Sequence, residues 1–417
     1  MAKPNLRNFS VGPFKGMNNR LPRRDMPADV LANAVNVLVD NSGKAIFPAI
    51  GKTQVYSGTN VHSIKEFLDV TLFVDNGILK KLNSNYTATT ILAGVGSSPM
   101  FYEELGDHVY FSNSILMGRY SKTLQIYEPW GIDRPAFQPS CEASSFGGLP
   151  AGEYRVAITW VGAWESGTTT GRKVALLDGQ GIRLYNFPTP PSNAEVMRVY
   201  VTATNSKEYY LFWEYPVGAT DITITKLNPQ GVVPTIPLKT MYHYTPLVRG
   251  KFVVHSGRIY YTRKNRVFFT EPKNYGLAKP LQYWTFDGEI KALYSIPPLL
   301  FVHTDKTLYQ ITNIDLDGAP VIRKSVSYGA TPNTEVPDQT IDAGYTFTKH
   351  GFLMVDNQGS SKELSYKDNA LPLFSKGTMS IVEKDGMKFL LFFGRGGTQN
   401  PLADKEYNST ELARGSL

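Results

Sequence analysis

Two glycine-containing stretches could bind a phosphate if their surroundings matched a known loop. Gly51-Lys52-Thr53 has the ending of a phosphate-binding loop, but the glycine needed five positions earlier is replaced by Ile46. The stretch GRGGTQN, residues 394–400, is followed by no periodic helix whose amino terminus could hold an anion. Neither stretch predicts a nucleotide site, so we expect no cofactor.

Metal-binding patterns are also incomplete. Asp315 and Asp317 could offer oxygen ligands to calcium, but the twelve-residue loop with its distal glutamate is missing. The single cysteine, Cys141, excludes an internal disulfide and any site built from several cysteines. The six histidines show neither H-x-x-x-H nor H-x-E spacing, so no zinc site is expected.

Carboxylates could hydrolyse a glycosidic bond if two of them faced each other across a cleft. Glu103, Glu104, Asp107 and Glu271 lie beside predicted turns, where solvated acids are usual. We therefore predict that the protein is not an enzyme and assign no catalytic residue. Hydrolysis of a surface polysaccharide is kept as a third class of function.

An aromatic group between residues 160 and 213 could stack on sugars or could fill a core. Alternation along a strand places about half of these rings inside, which favours packing. Trp164 comes just before Glu165-Ser166-Gly167, at a predicted loop, and is the candidate glycan contact. The alternative function is therefore a receptor- or glycan-binding module.

A cationic hairpin tip contains Arg263, Lys264 and Arg266. These side chains could contact phosphates if the tip lines a channel. Cations at a hairpin tip also improve solubility and protect a sheet edge, and both interpretations stay open.

The elements that must position these residues are predicted to be strands. The chain has 24 Tyr, 22 Phe, 36 Gly and 27 Pro in 417 residues, a composition that favours strands and turns. An apolar triplet followed by a turn recurs at intervals of 37 to 52 residues, apart from one long gap. A four-stranded blade takes roughly 40 to 50 residues, so a β-propeller of about six blades is predicted. The triplets are Leu72-Phe73-Val74, Val109-Tyr110-Phe111, Ile259-Tyr260-Tyr261, Leu300-Phe301-Val302, Phe352-Leu353-Met354 and Phe389-Leu390-Leu391.

The long gap predicts an insertion. Tyr154, Val156, Ile158 and Trp160 alternate with smaller or polar residues, as in a half-buried strand. Residues 139–232 are therefore interpreted as an inserted fibronectin-like or Ig-like β-sandwich. Residues 51–138 and 233–417 are the two parts of the propeller, and residues 1–50 are an arm with a short helix.

The amino-terminal arm is basic, because six cations precede the first acid, Asp25, in a chain of net charge +7. We predict a helix from Pro27 to Val37 with an apolar stripe. No apolar run approaches the length of a membrane span, and we expect the protein to fold in the cytosol. The candidate contacts for assembly are Arg20, Arg23, Arg24, Leu31 and Val35.

Three stretches resemble the nozzle or hub proteins of short-tailed bacteriophages, β-propeller proteins that close the head-to-tail channel. Phe14 to Gly51 is similar to the opening of that family, with an arm, a short helix, a D-x-x-G turn and an apolar strand. Gly257 to Thr312 is similar to its blade run, with aromatic strand ends and a Glu-Pro. Gly152 to Gly167 looks like the first strands of the fibronectin-like insertions found in phage structural proteins.

The resemblance implies a virion structural protein of the viral tail, assembled in the bacterial cytoplasm. It implies a homohexameric ring below the portal and the head-to-tail adaptor, in contact with other tail proteins. Double-stranded DNA would pass through the ring during ejection.

Overall fold

The computed structural model describes residues 25–27, 29–31, 37–39, 46–48, 54–227, 235–312, 320–364, 371–384 and 387–397. Within these ranges the chain is all β, with 31 strands and no α-helix. No helix there is long and apolar enough to cross a membrane. The chain divides into two compact units, one of residues 58–285 and one of the residues on either side of that range.

The predicted helix from Pro27 to Val37 is wrong over the residues that the structure describes. Pro27 has no regular structure, Asp29 and Val30 lie in a turn and a bend, and Leu31 forms an isolated β-bridge. Val37 begins strand β1 (Val37–Val39), which pairs antiparallel with β2 (Ile46–Pro48). Val35, Val37 and Val39 also alternate with period two, and β-branched residues favour strands. Strand pairing therefore outweighs the helical spacing of the apolar stripe.

The unit of residues 58–285 contains two consecutive four-stranded antiparallel sheets, here named sheet 1 and sheet 2. Each is a meander in which neighbouring strands follow one another along the chain. In sheet 1 the turn Asn76-Gly77 takes φ values of 48° and 74°, the geometry that a two-residue hairpin requires. Sheet 1 is β3 (His62–Glu66), β4 (Thr71–Asp75), β5 (Ile78–Leu82) and β6 (Ala88–Ala93), and sheet 2 is β7 (Phe101–Leu105), β8 (His108–Ser112), β9 (Met117–Ser121) and β10 (Ile126–Glu128).

Residues 140–224 form a paired-sheet segment of two antiparallel sheets, β11-β14-β17 and β13-β12-β15-β16. Tyr154, Val156, Ile158 and Trp160 are buried in one core together with residues of the other sheet, which confirms that they share a face. The strand is not half-buried as predicted, because Ala157 and Thr159 on its opposite face are buried as well. Its strands are β11 (Ser140–Leu149), β12 (Gly152–Val161), β13 (Arg172–Leu176), β14 (Gln180–Tyr185), β15 (Val196–Thr202), β16 (Tyr209–Pro216) and β17 (Asp221–Ile224).

Sheet 3 completes this unit and is again a four-stranded meander. Its second strand carries the triplet Ile259-Tyr260-Tyr261, all of which is buried. It consists of β18 (Phe252–His255), β19 (Arg258–Arg263), β20 (Arg266–Phe269) and β21 (Tyr283–Thr285).

Sheet 2 is buried on both faces, which explains why its triplet is apolar without interruption. Val109 and Phe111 belong to a core shared with sheet 1. Tyr110 points to the opposite side and belongs to a core shared with sheet 3, where it contacts Trp130 edge-on at 4.9 Å. Because side chains alternate along a strand, a sheet between two others needs apolar residues at consecutive positions.

The other unit contains a second run of three sheets. Sheets 4 and 5 are four-stranded, and sheet 6 is two-stranded among the described residues. Sheets 4 and 5 share a core, and Phe347 of sheet 5 stacks on Phe392 of sheet 6 at 4.2 Å. The strands are β22 (Ile290–Ile296), β23 (Leu299–Thr304), β24 (Leu308–Thr312), β25 (Val321–Val326), β26 (Val336–Asp338), β27 (Ala343–Thr348), β28 (Gly351–Asp356), β29 (Ser361–Glu363), β30 (Lys376–Lys384) and β31 (Met387–Arg395).

The recurring triplet occupies the second strand of every sheet except sheet 5. There Phe352-Leu353-Met354 lies in the third strand, β28. The second strand, β27, has the buried polar residue Thr346 at its centre, and Thr346 donates a hydrogen bond to the Tyr294 hydroxyl at 3.3 Å. The apolar pattern is interrupted there, which accounts for the irregular spacing in the sequence.

Candidate functional site

The first candidate site is the cationic hairpin tip between β19 and β20. Arg263 and Arg266 are directly opposite each other in the register, and Lys264 takes a φ of 55° in the turn. All three side chains are exposed. The structure therefore brings together the three predicted phosphate contacts.

Aromatic rings hold the two guanidinium groups of this tip. The guanidinium carbon of Arg266 lies 4.4 Å from the centroid of the Tyr283 ring, and that of Arg263 lies 5.8 Å from the centroid of Phe268. Among the described residues, no carboxylate forms an ion pair with Arg263, Lys264 or Arg266. The tip thus presents three cations whose charge is not neutralised by those residues.

The second candidate is a solvent-open cleft of about 750 Å³, here named the Trp164 cleft. Sheet 2 contributes most of its wall, and the loop after β12 contributes Ala163 and Trp164. Residues from four separate chain segments meet here. The lining residues are Leu105, Gly106, Asp107, His108, Tyr110, Arg119, Ser121, Thr123, Leu124, Glu128, Ala163, Trp164 and Tyr275.

Trp164 is held in place from two directions and is half-buried. The guanidinium carbon of Arg119 lies 4.4 Å from the centroid of the indole ring. A Cβ added to Gly276 would come within 2.9 Å of the indole Cε3, so only glycine fits against the ring there without movement. Trp164 therefore joins the paired-sheet segment to sheet 2 and does not stand free as a stacking platform.

A row of cross-strand neighbours carries the charges of the cleft. Tyr110, Arg119 and Glu128 are aligned across β8, β9 and β10. Arg119 Nη2 lies 2.7 Å from Glu128 Oε2, and His108 Nε2 lies 3.1 Å from the same oxygen. The side chain of Arg119 is 10% exposed. Burial raises the pKa of Tyr110, so its hydroxyl stays protonated and can serve as a donor.

Asp107 lies at the rim of the cleft and is kept ionised. Thr123 Oγ1 donates to its Oδ1 at 2.6 Å, and Ser121 Oγ donates to its Oδ2 at 2.8 Å. These hydrogen bonds, that from Thr123 first, hold the pKa of Asp107 below its usual range. The cleft therefore offers acceptors and donors side by side.

No protein-family model matches the chain, and no curated protein matches it. Among solved structures, it is similar to the extracellular domain of a hybrid two-component system from B. thetaiotaomicron (TM-score 0.33, 11% identity, 82% of this chain and 40% of that chain). It is also similar to a streptogramin B lyase, with a TM-score of 0.33 and 11% identity over 82% of this chain and 92% of that chain. A third match is the β-propeller domain of Cps50 from Myceliophteria thermophila, with a TM-score of 0.32 and 9% identity over 74% of this chain and 87% of that chain.

The chain thus spans less than half of the first of these proteins. TM-scores of this size are too low to transfer a fold or an activity to this chain.

Two of the other acids singled out in the sequence, Glu104 and Glu271, take part in ion pairs. Glu103 is half-buried, and burial raises its pKa. Glu104 Oε1 lies 2.5 Å from Lys122 Nζ. Glu271 Oε1 lies 3.4 Å from His243 Nε2 and 3.3 Å from Lys279 Nζ. The contact with His243 contributes most to lowering the pKa of Glu271, burial opposes it, and Lys279 adds to it.

No group of three or more metal-ligating side chains occurs within the part of the chain that the structure describes. Cys141 is half-buried, forms no disulfide and donates from Sγ to the Pro139 carbonyl oxygen at 3.7 Å, and burial raises its thiol pKa to about 12. The thiol is therefore protonated and poorly reactive at neutral pH.

The aromatic group divides between core and surface. Trp160 and Tyr209 are buried, whereas Trp213 is 37% exposed. Leu31, one of the candidate assembly contacts, is half-buried. Arg20, Arg23, Arg24 and Val35 lie outside the described residues, as do Asp315 and Asp317.

Sequence reasoning missed Arg119, His108 and Glu128. A signal for them exists, since the hairpin of β9 and β10 places Glu128 opposite Arg119. Residues 108 and 110 also share a face of β8. That the loop with Trp164 would reach this row could not be predicted, because it depends on a contact between segments distant in sequence.

Proposed function

We propose that the chain is a structural subunit of the tail of a short-tailed bacteriophage, a nozzle or hub protein. In this proposal the six sheets are blades of one propeller, and residues 139–232 are a sandwich inserted between two of them. Copies form a ring, six by analogy with the resembled family, below the portal and adaptor. The ring surrounds part of the channel through which DNA leaves.

The observation that carries the proposal is the succession of sheets packed face to face. Sheets 1, 2 and 3 share cores in chain order, and sheets 4, 5 and 6 do so as well. A lone meander leaves an apolar face and strand edges open, and radial repetition removes most of that cost. A propeller of about six blades accounts for the repeated triplet.

A propeller is a stiff body, and stiff wedge-shaped subunits can be arranged in a closed ring. Identical wedges that close around an axis leave no free interface, and a structural role of this kind needs no catalytic group. The cationic hairpin tip supports a position near DNA, because exposed cations without carboxylate partners attract phosphates. The basic residues of the arm before Asp25 are proposed to contact the neighbouring subunit or the adaptor.

The proposal is tested on the purified full-length protein by mass photometry and negative-stain electron microscopy. We expect rings of about six copies with a central hole, and loss of rings when residues 1–24 are deleted. Monomers at every concentration, with or without the head-to-tail adaptor, would contradict the ring. Rings that survive the deletion would exclude the role given to the arm.

A further inference from the structure

We propose that the Trp164 cleft binds a carbohydrate, and that sheet 2 rather than the paired-sheet segment alone supplies the recognition. The cleft lies wholly within the unit of residues 58–285. Its volume of about 750 Å³ falls in the range of roughly 300–1,000 Å³ found for ligand sites. This site is independent of the ring and of the cationic hairpin tip.

The charges of the cleft favour a neutral, polyhydroxylated ligand. Arg119 and His108 are donors, whereas Asp107 and Glu128 are acceptors. Arg119 and Glu128 neutralise each other, and Asp107 accepts hydrogen bonds from Thr123 and Ser121, so a simple anion or cation gains little net attraction. A sugar hydroxyl both donates and accepts, so neighbouring hydroxyls can bond to both kinds of group.

Buried contacts fix this arrangement before any ligand arrives. Arg119 is held by Glu128 on one side and by the Trp164 ring on another. Glu128 Oε2 also lies 3.1 Å from His108 Nε2, so the carboxylate is oriented by a guanidinium and an imidazole. Groups that are already ordered lose little entropy on binding, which favours a ligand that makes only modest contacts.

Aromatic side chains in the wall of the cleft can pack against the apolar faces of a sugar ring. Tyr275 is half-buried at the cleft, and its ring lies 6.2 Å from that of Tyr110. Leu124 is 62% exposed at the rim. The indole face under Arg119 is occupied, so we assign the contact with sugar carbon to Tyr275 and to the exposed part of Trp164.

Hydrogen bonds within this unit connect the segments around the cleft, so the cleft needs both the paired-sheet segment and the rest of the unit. Trp130 Nε1 donates to the Tyr275 carbonyl at 2.9 Å, and Asn193 Nδ2 donates to the Gly131 carbonyl at 2.9 Å. An isolated segment of residues 139–232 would keep Trp164 but lack Arg119, Glu128 and Tyr275. The test therefore requires the full chain.

The test is binding of the full-length protein to an array of bacterial surface oligosaccharides, followed by calorimetric titration of the strongest oligosaccharide. Leu124→Arg should weaken that binding at least tenfold, because a long cation at an exposed rim position fills the cleft without entering a core. Glu128→Gln should weaken it similarly by removing a charged acceptor. Trp213→Ala is the matched control and should leave binding unchanged.

Three results would overturn the proposal. One is the absence of binding to every oligosaccharide by a protein whose circular dichroism and melting temperature are normal. Another is binding that neither Leu124→Arg nor Glu128→Gln reduces. The third is that Trp213→Ala reduces binding as much as they do, which would place the sugar on the outer surface of the paired-sheet segment.

Discussion

The guanidinium carbon of Arg119 lies 4.4 Å from the centroid of the Trp164 indole ring. The arginine is in the third strand of sheet 2, and the tryptophan is in a loop of the paired-sheet segment. A cation above an aromatic ring is attracted by the ring quadrupole, and more strongly when water is excluded. This contact links sheet 2 to the paired-sheet segment, and both residues line the cleft.

The first prediction concerns the strength of that tie. Trp164→Ala should lower the free energy of unfolding by about 2 kcal/mol, since it removes a half-buried aromatic ring and its cation contact. Urea denaturation followed by circular dichroism measures the change. Trp213→Ala, at an exposed ring, should stay within about 0.5 kcal/mol of the unsubstituted protein. An equal decrease in the free energy of unfolding of the two variants would show that Trp164 does not hold the paired-sheet segment to sheet 2.

The second prediction concerns His303, which is fully buried on β23 with its Nε2 3.0 Å from the Tyr328 carbonyl oxygen. Burial lowers its pKa from 6.5 to about 4. As the pH falls, the unfolded chain therefore takes up this proton before the folded chain does. Stability should be unaffected by this group above pH 6.5 and should fall by roughly 3 kcal/mol between pH 6.5 and 4.

The check is the free energy of unfolding of His303→Gln measured across that range. Glutamine stays neutral and can still donate to the Tyr328 carbonyl. The variant should lose less stability than the unsubstituted protein as the pH falls from 6.5 to 4. Parallel curves for the two proteins would contradict a neutral buried imidazole.

The third prediction concerns the cationic hairpin tip. Replacing Arg263, Lys264 and Arg266 together by glutamine should weaken binding of double-stranded DNA equally for all sequences. Each phosphate contact contributes about 0.9 to the slope of log K against log salt, so the slope should fall by up to about 3. Fluorescence anisotropy at several salt concentrations measures it.

A matched control is Arg183→Gln. Arg183 is also exposed but already pairs with Glu142 and Asp221. Its replacement should leave the salt slope unchanged. A triple variant with the original slope would show that the hairpin tip serves solubility or edge protection rather than DNA contact.

Local patterns predicted most of the strands. The DNG turn between Val74 and Ile78, and the period-two run from Tyr154 to Trp160, are dictated by neighbours in the chain and are found as predicted. Over the described residues the helix was wrong: the sequence of residues 31–39 carries two apolar periods, and Val37–Val39 pairs as a strand with Ile46–Pro48. The placement of Trp164 against Arg119 depends on packing between distant segments, which no local period encodes.

The spacing of the triplets predicted the position of a sheet's second strand only where that strand is apolar without interruption. In sheet 4, Leu300, Phe301 and Val302 are all buried, and the pattern is clear. In sheet 5, Thr346 replaces an apolar residue because its hydroxyl has a partner in Tyr294. A hydrophobic pattern counts only apolar residues, so it does not detect a core position filled by a polar residue whose hydrogen bond is made inside the core.

A cryo-electron microscopy reconstruction of the purified full-length protein tests the central claim most directly. The account predicts about six sheets arranged radially around one axis in each subunit, with residues 139–232 projecting between the second and third. It also predicts subunits closed into a ring around a channel. Two three-sheet units that share no axis, in a protein that stays monomeric, would contradict both the propeller and the duct.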